Sequence, residues 1–261
     1  MFFLNKFGFT YLSYKALYSF QTLRLFILFR ILDPFMHYLF FATLASAIVG
    51  QEYLSYVVLG NIVYYTGQTM MINFMSMFRN ERKFGTLELN IASPTSTFVI
   101  IMRKALVPFL DGLFVFIAGL TIARVLFSIA LPLDQIGHLL LLFTVTMFSL
   151  LSFALLFACI SLLFSNVNLF LNLVLASFQV LCGVNFSVAL LPGSLEALAR
   201  ILPLTHSIEA IRSIYQLESY AILPLLGKEL MIGGCYFLIA LLLVNVMEKL
   251  ARKQGALFKN V

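Results

Sequence analysis

Long apolar stretches alternate with short polar ones along this chain, and six of the apolar stretches have the length of a membrane span. A membrane-spanning helix needs about 20 predominantly apolar residues. We predict spans at residues 25–49, 54–78, 99–127, 136–164, 169–190 and 225–247. The pattern therefore predicts an all-α, polytopic membrane protein. No internal repeat or low-complexity segment divides residues 1–261, so we treat the chain as one transmembrane domain.

The N-terminal region differs from the spans in its pattern. Residues 8–24 mix aromatic side chains with Lys15 and Arg24. This mixture is typical of an amphipathic helix that lies along the membrane surface. We therefore expect a surface helix before the first span.

Residues 191–222, between the fifth and sixth spans, are too polar to cross a membrane. Apolar residues nevertheless recur there at helical spacing on both sides of Pro203, which predicts two short helices on the outer side that dip partway into the membrane. Ser194 and Thr205 stand just ahead of the periodic runs, and we expect them to be the N-caps. Glu209 and Arg212 are three residues apart and are expected to pair on one helix face.

Composition supports the membrane assignment. Hydrophobic residues make up 62% of the chain, charged residues 11%, and the mean hydropathy is +1.01. A soluble domain carries about 25% charged residues, so this chain has too few to cover a soluble core. The three cysteines lie far apart in apolar runs, which suggests packing rather than a disulfide framework or a zinc site.

Basic residues orient the predicted spans, because cytoplasmic loops of membrane proteins are enriched in lysine and arginine. Of the 17 basic residues, 13 lie near the N-terminus, in or beside residues 79–96, or in the C-terminal tail. With six spans, these three regions fall on the same side, so we expect both termini in the cytoplasm. The net charge of +6 is then a topology signal, and no nucleic-acid partner is expected.

The chain lacks the common patterns of catalytic chemistry. It contains no GxxxxGK[ST] phosphate loop, no HExxH and no Ser/His/Asp arrangement, and its three histidines are scattered singly. We therefore expect no enzyme, no bound ATP and no metal site. If the chain belongs to a transporter, ATP bound at a phosphate loop of this chain cannot supply the energy.

Ionisable residues inside a span are costly and point to function. Asp111 lies seven residues beyond Lys104, about 10 Å deeper along a helix. It either pairs with a polar neighbour such as Asn73 or Gln68, or acts as a proton-coupling carboxylate. Asp33 lies nearer to a span end, where water can solvate it.

Two pairs of glycines are spaced seven residues apart, so that each pair falls on one helix face. They are Gly60 with Gly67, and Gly112 with Gly119. Small residues on one face permit close helix packing. The contact is expected either within the chain or between subunits.

A compact charged stretch, residues 79–96, interrupts the apolar sequence after the second span. Gly85 is expected to end that span, Thr86 to cap a new short helix, and Pro94 to end it. Leu87 and Ile91 are four residues apart and form one apolar face. The alternative is an ordinary loop with a helical turn on the membrane surface.

At this point the sequence resembles a known family. ERKFGTLELNIASPTS is similar to the cytoplasmic loop after the second helix of type-2 ABC exporter permeases, which typically reads E-x-x-x-G-T-L-E followed by a proline. LPGSLEALARILPLTHSIEAIR is similar to their outer loop, in which Leu-Pro precedes a short helix, a proline and a final Glu-Ala-x-Arg. The resemblance covers essentially the whole chain.

The resemblance implies a permease without an ATPase of its own. Such a chain dimerises and recruits two copies of a separate ATP-binding subunit, which holds ATP and Mg²⁺; we favour a homodimer over a heterodimer. The helix after Gly85 would dock on that subunit as the coupling helix. The implied coupling residues are Glu81, Arg82, Lys83, Gly85, Thr86, Leu87, Glu88, Ile91 and Pro94. The implied outer gate contains Pro192, Glu196, Pro203, Glu209 and Arg212, and the candidate pathway residues are Asn73 and Asp111.

The cargo is less well defined. The N-terminal region is more similar to the drug and lipid branch of the family, so we expect export of an amphipathic drug, lipid or peptide across a bacterial inner membrane. Three alternatives stay open: a polysaccharide or glycolipid exporter of the same family, a proton-coupled secondary transporter that uses Asp111, and a non-transporting scaffold or immunity factor. The absence of tryptophan disfavours the polysaccharide branch.

Overall fold

The computed structural model describes residues 23–83, 97–161 and 167–254 of the chain. Within these ranges every regular element is helical and no strand occurs, so the predicted all-α class is confirmed. Three short 3-10 turns, at Gln51–Tyr53, Leu133–Gln135 and Val188–Leu190, lie between helices. The α-helices are α1 (Leu23–Ile48), α2 (Leu54–Lys83), α3 (Thr97–Phe127), α4 (Ile136–Ser161), α5 (Val167–Leu181), α6 (Gly193–Ile201), α7 (Thr205–Ile214) and α8 (Ile222–Gln254).

Four of these helices are long and apolar enough to cross a membrane. They are α1, α3, α4 and α8, and each coincides with a predicted span. Helix α2 has 30 residues, about 45 Å, but its polar side chains reduce its hydropathy. Helix α5 has only 15 residues, about 22 Å. The six-span layout therefore stays a prediction where it depends on α2 and α5.

The predicted fifth span is wrong in its extent. We expected residues 169–190 to be continuous, but α5 ends at Leu181 and the chain turns through Gly183, whose φ is 72°. A side chain at Gly183 would also meet Val188 at 2.6 Å. Apolar composition alone did not reveal this turn because the residues after it are also apolar and pack into the protein.

Helix α2 lies at the centre of the bundle. It packs against α1, α3, α4, α5 and α7, while α8 packs mainly against α4. Leu59, Ile62, Met71 and Phe74 of α2 are fully buried. By contrast, α1 and α8 leave many large apolar side chains exposed, for example Phe40 at 60%. Large exposed apolar side chains are favourable in contact with a lipid bilayer or a second protein, and unfavourable in contact with water.

The glycine pairs permit close packing within the chain. A contact within the chain was one of the two alternatives expected for them, the other being a contact between subunits. A Cβ atom at Gly67 would lie 2.5 Å from Leu150 of α4, and one at Gly119 would lie 3.1 Å from Ile62 of α2. The tightest site is Gly60, where a Cβ would lie 2.3 Å from the Val184 carbonyl oxygen. Glycine therefore sets how closely α2 approaches its neighbours.

The two short helices expected around Pro203 are present as α6 and α7, but their predicted caps are wrong. Ser194 and Thr205 lie inside the first turns, and the residues that precede the helices are Pro192 and Leu204, neither with a side-chain cap. Leu204 adopts a positive φ of 100°. The Thr205 hydroxyl instead donates to the Ala199 carbonyl at 2.6 Å and ties α7 to α6.

Candidate functional site

Most of the predicted coupling stretch lies outside the described residues. This applies to Gly85, Thr86, Leu87, Glu88, Ile91 and Pro94, and the predicted surface helix over residues 8–24 also lies outside, apart from its last two residues. The structure does place the end of α2, where Glu81, Arg82 and Lys83 belong to the helix, and the start of α3 at Thr97.

Charged and polar contacts tie three helices together near the end of α2 that precedes residues 84–96. The Lys104 ammonium of α3 pairs with Glu81 of α2, and both side chains are largely buried. Arg79 of α2 donates a hydrogen bond to Asn168 at the start of α5. Helices α2 and α3, which precede and follow residues 84–96, are therefore tied to each other, and α2 is also tied to α5.

A second polar cluster joins α1, α2 and α3. The Asn73 amide donates to the Asp111 carboxylate, so the expected pairing of Asp111 with Asn73 is confirmed. Arg30 also contributes, because its guanidinium lies 2.7 Å from Asp111 and 3.4 Å from the Asn73 side-chain oxygen. Sequence reasoning used Arg30 only as a topology signal and missed this role. Asp111 is thus a buried carboxylate with a charged partner.

A chain of polar side chains continues from this cluster toward the α6–α7 end of the molecule. The Tyr65 hydroxyl donates to Asp33, and His37 lies 3.0 Å from the Asn61 side-chain oxygen. The fully buried Asn61 in turn donates to Asn185 at 2.8 Å. The polar residues of α2 therefore meet partners on α1 and on the segment after α5 rather than facing lipid.

Arg212 is the centre of the α6–α7 end. Its side chain is only 1% exposed and donates to two carbonyl oxygens, Tyr56 at 3.2 Å and Val184 at 2.8 Å. The guanidinium also lies 3.5 Å from the centre of the Tyr56 ring. Glu218 lies 3.9 Å away and accepts a hydrogen bond from the Tyr56 hydroxyl. Arg212 thereby joins α7 to α2 and to the segment after α5.

The expected pairing of Glu209 with Arg212 is wrong. Glu209 instead lies 3.1 Å from His206 and 3.8 Å from Arg200. The two residues separate because Arg212 faces α2, whereas Glu209 faces α6. Spacing within a helix could not reveal this, since each residue takes its partner from a different neighbouring element.

Burial changes the pKa values of the groups at this end. Desolvation by burial lowers the pKa of Arg212, and the nearby Tyr56 and Glu218 oppose that change. Burial also raises the pKa of Glu218, which the hydrogen bond from Tyr56 and the charge of Arg212 oppose. At the surface, the hydrogen bond to Glu196 raises the pKa of Arg200.

Glu229 of α8 is a functional candidate that sequence reasoning missed. It is fully buried and accepts hydrogen bonds from the backbone N–H groups of Leu204 at 2.8 Å and Ser207 at 3.3 Å. A carboxylate at a helix N-terminus stabilises that end of the helix, so Glu229 supplies the cap that Thr205 was expected to supply. The signal that the sequence offered for Glu229 was an acidic residue seven positions after the start of the predominantly apolar helix α8.

The other predicted gate residues occupy the ends of the two short helices. Pro192 precedes α6 and its carbonyl accepts from Leu195 and Glu196. Glu196 pairs with Arg200 at 2.7 Å on the surface. The Pro203 carbonyl lies in the break between α6 and α7 and accepts from Cys182 at 3.7 Å. Within the described ranges, no group of three His, Cys, Asp or Glu side chains could hold a metal.

The long apolar helices, the buried charge clusters and the paired short helices define a multi-span α-helical membrane protein. Comparison with known families then identifies it further. The family model described as ABC-2 type transporter matches residues 9–215. The chain therefore belongs to the ABC-2 type transporter family and is a transmembrane permease subunit of that type. No curated protein matches the sequence.

Proposed function

We propose that this protein is the transmembrane subunit of an ATP-driven exporter that moves an amphipathic drug, lipid or peptide out of a bacterial cell. Two copies of the permease form a homodimer in the inner membrane, with both termini in the cytoplasm. Two copies of a separate ATP-binding subunit hydrolyse ATP. Family membership and the absence of a phosphate loop support this division of labour.

The observation that carries the proposal is a pair of contacts near the end of α2, the helix that leads into residues 84–96. An ATPase can move permease helices only if the segment it contacts is connected to them rigidly. The Glu81–Lys104 ion pair and the Arg79–Asn168 hydrogen bond join α2, α3 and α5 at that point. A push on the predicted coupling helix would therefore reach three helices together.

At the other end, α6 and α7 act as the outer gate. Arg212 connects α7 to α2, and Glu229 connects α7 to α8. A movement of α2 or α8 would therefore be passed directly to α7. Asp111 needs no proton-coupling role in this scheme, because Arg30 already balances its charge.

The first prediction concerns docking of the coupling helix. Leu87→Asp places a charge on the predicted apolar docking face, so transport should fall at least tenfold while the permease still inserts into the membrane. Reconstituted complexes report both quantities, as ATP hydrolysis and as transport of a fluorescent cargo. We expect ATP hydrolysis to lose its dependence on the permease.

Leu89→Asp is the matched control, since Leu89 lies two residues from Leu87 and is predicted to face away from the docking surface. It adds the same charge to the same segment and should leave transport within about twofold, since it removes no docking contact. Normal transport by Leu87→Asp would refute the coupling assignment. Equal losses in both variants would show a general effect of charge.

A further inference from the structure

Asp33 lies deep in the apolar part of the molecule. It is six residues inside the apolar span Ile27–Ile48, about 9 Å along the helix. Its partner Tyr65 lies well inside α2, about 17 Å from Leu54 and about 27 Å from Lys83 along the helix. Asp33 is thus nearer to the start of the apolar span than to its end, but almost two helical turns inside it.

Asp33 is also an exposed residue on the surface of the single chain. Its hydrogen bond comes from the Tyr65 hydroxyl, and no cation of the described residues lies within ion-pair distance of it. Arg30, one helical turn away, is engaged with Asp111 at 2.7 Å. An exposed charge at this depth is costly against lipid, so the face that carries it requires water, protein or a charged ligand.

Aromatic side chains share the helix face of Asp33. His37, Phe40 and Phe41 follow at spacings of four, seven and eight residues, which places them along the same side of α1. The His37 ring lies 5.1 Å from the Tyr65 ring and 4.8 Å from the Phe41 ring. Phe40 is 60% exposed. The exposed Asp33 therefore lies beside aromatic rings, among which Phe40 is accessible and Tyr65 is buried.

From this geometry we infer that Asp33, Tyr65, His37 and Phe40 form a binding site for the cationic head of an amphipathic substrate. The inference rests on the proposed export function and names its substrate class. The carboxylate supplies a negative charge that has no ion-pair partner among the described residues, and the rings of Phe40 and His37 contact the apolar part of the cation and attract its charge through their faces. Tyr65 orients the carboxylate by its hydrogen bond.

Tetraphenylphosphonium is a suitable probe, because it is a permanent cation covered by four phenyl rings. Its affinity is measured by equilibrium dialysis against the complete permease–ATPase complex in nanodiscs, without nucleotide. Asp33→Asn removes the charge and keeps the side-chain size, so we expect tetraphenylphosphonium binding to weaken tenfold or more. Tyr65→Phe should weaken it less, because the carboxylate stays.

Two controls match these measurements. Asp134→Asn makes the same substitution at an exposed acid in the 3-10 turn that precedes α4, away from Tyr65 and His37, and should leave binding unchanged. Tetraphenylborate has nearly the same shape with the opposite charge and should not compete with the cation. A wild-type complex that fails to bind tetraphenylphosphonium, or an Asp33→Asn complex that binds it equally well, would overturn the inference.

A second permease copy is the other candidate to cover Asp33. If Asp33→Asn dissociates the dimer, as measured by mass, and leaves cation binding intact, Asp33 belongs to the subunit contact and the binding site is disproved. The dialysis needs neither ATP hydrolysis nor coupling. A negative result here therefore leaves the proposed function standing, and failure of the Leu87→Asp prediction leaves this site standing.

Discussion

At the scale of single residues, three buried charged side chains are each stabilised by a different kind of partner. Arg212 is balanced by carbonyl oxygens, an aromatic face and Glu218. Glu229 is balanced by backbone N–H groups at the start of α7. Asp111 is balanced by Arg30. Removing one partner of such a contact leaves the other unsatisfied in an apolar environment, which is more costly than losing a surface pair.

Arg212→Ala should strongly destabilise the protein, by about 3–5 kcal/mol, because two carbonyl oxygens and Glu218 lose their partner. Arg212→Lys should cost less, since an ammonium keeps the charge but cannot reproduce the planar fork of donors. The measurement is the temperature at which detergent-solubilised permease aggregates, followed by fluorescence-detected gel filtration.

Arg200→Ala serves as the comparison, because the Arg200 side chain is 42% exposed and pairs with Glu196 at the surface. Surface ion pairs contribute about 0–1 kcal/mol, so this variant should melt close to wild type. Equal melting of Arg212→Ala and Arg200→Ala would contradict the structural role of Arg212.

At the scale of helices, α2 organises the bundle because its small residues let other elements approach its backbone. Gly60 lies against the Val184 carbonyl and the Arg212 guanidinium, and Gly67 lies against Leu150. The polar residues of α2 face the same neighbours, so that close approach and hydrogen bonding support each other. This explains why a helix with so many polar groups lies at the centre of an apolar protein.

Gly60→Ala should destabilise the protein by about 1–3 kcal/mol, since the added methyl group would overlap the Val184 carbonyl oxygen. Gly234→Ala in α8 is the matched control, because a Cβ there meets nothing within 4 Å. Alanine favours a helix over glycine by about 1 kcal/mol, so the control should be neutral or stabilising. The ratio of folded to aggregated protein after heating distinguishes the variants, and a stable Gly60→Ala would disprove the close approach.

At the scale of the whole molecule, the polar contacts connect the two ends of the bundle. One end holds the Glu81–Lys104 pair beside the predicted coupling stretch, and the other holds Arg212, Glu218 and Glu229 around α7. Helices α2 and α3 run between these ends and carry the Asn73–Asp111 contact, which is nearer to the Glu81–Lys104 end. A permease that transmits movement from one end of the bundle to the other needs such connections between its helices. The ATPase that drives the movement can be a separate subunit.

The purified permease alone should therefore show no ATP hydrolysis above a buffer blank, because no phosphate loop is present in its sequence. Co-purification with the ATP-binding subunit should restore hydrolysis. A partner variant that lacks its phosphate-loop lysine controls for contaminating ATPases. Turnover that persists in the pure permease would contradict the separate-subunit proposal.

The sequence by itself determined the class of this protein and most of its helices. Runs of apolar residues specify membrane helices wherever they lie in the chain, so α1, α3, α4 and α8 could be predicted. The two motifs also led to the correct family, and the pairing of Asn73 with Asp111 was anticipated among alternatives. These features depend on local composition or on short patterns.

The tertiary structure decided what depends on contacts between distant residues. It showed that α5 ends at Leu181, that Arg212 turns toward α2 rather than Glu209, and that Glu229 caps α7 from another helix. The hydrogen-bond partners of Arg212 and Glu229 lie between 22 and 156 positions away along the chain. Local periodicity carries no information about such partners, because a buried charge takes whichever donor or acceptor the packing of the helices brings to it.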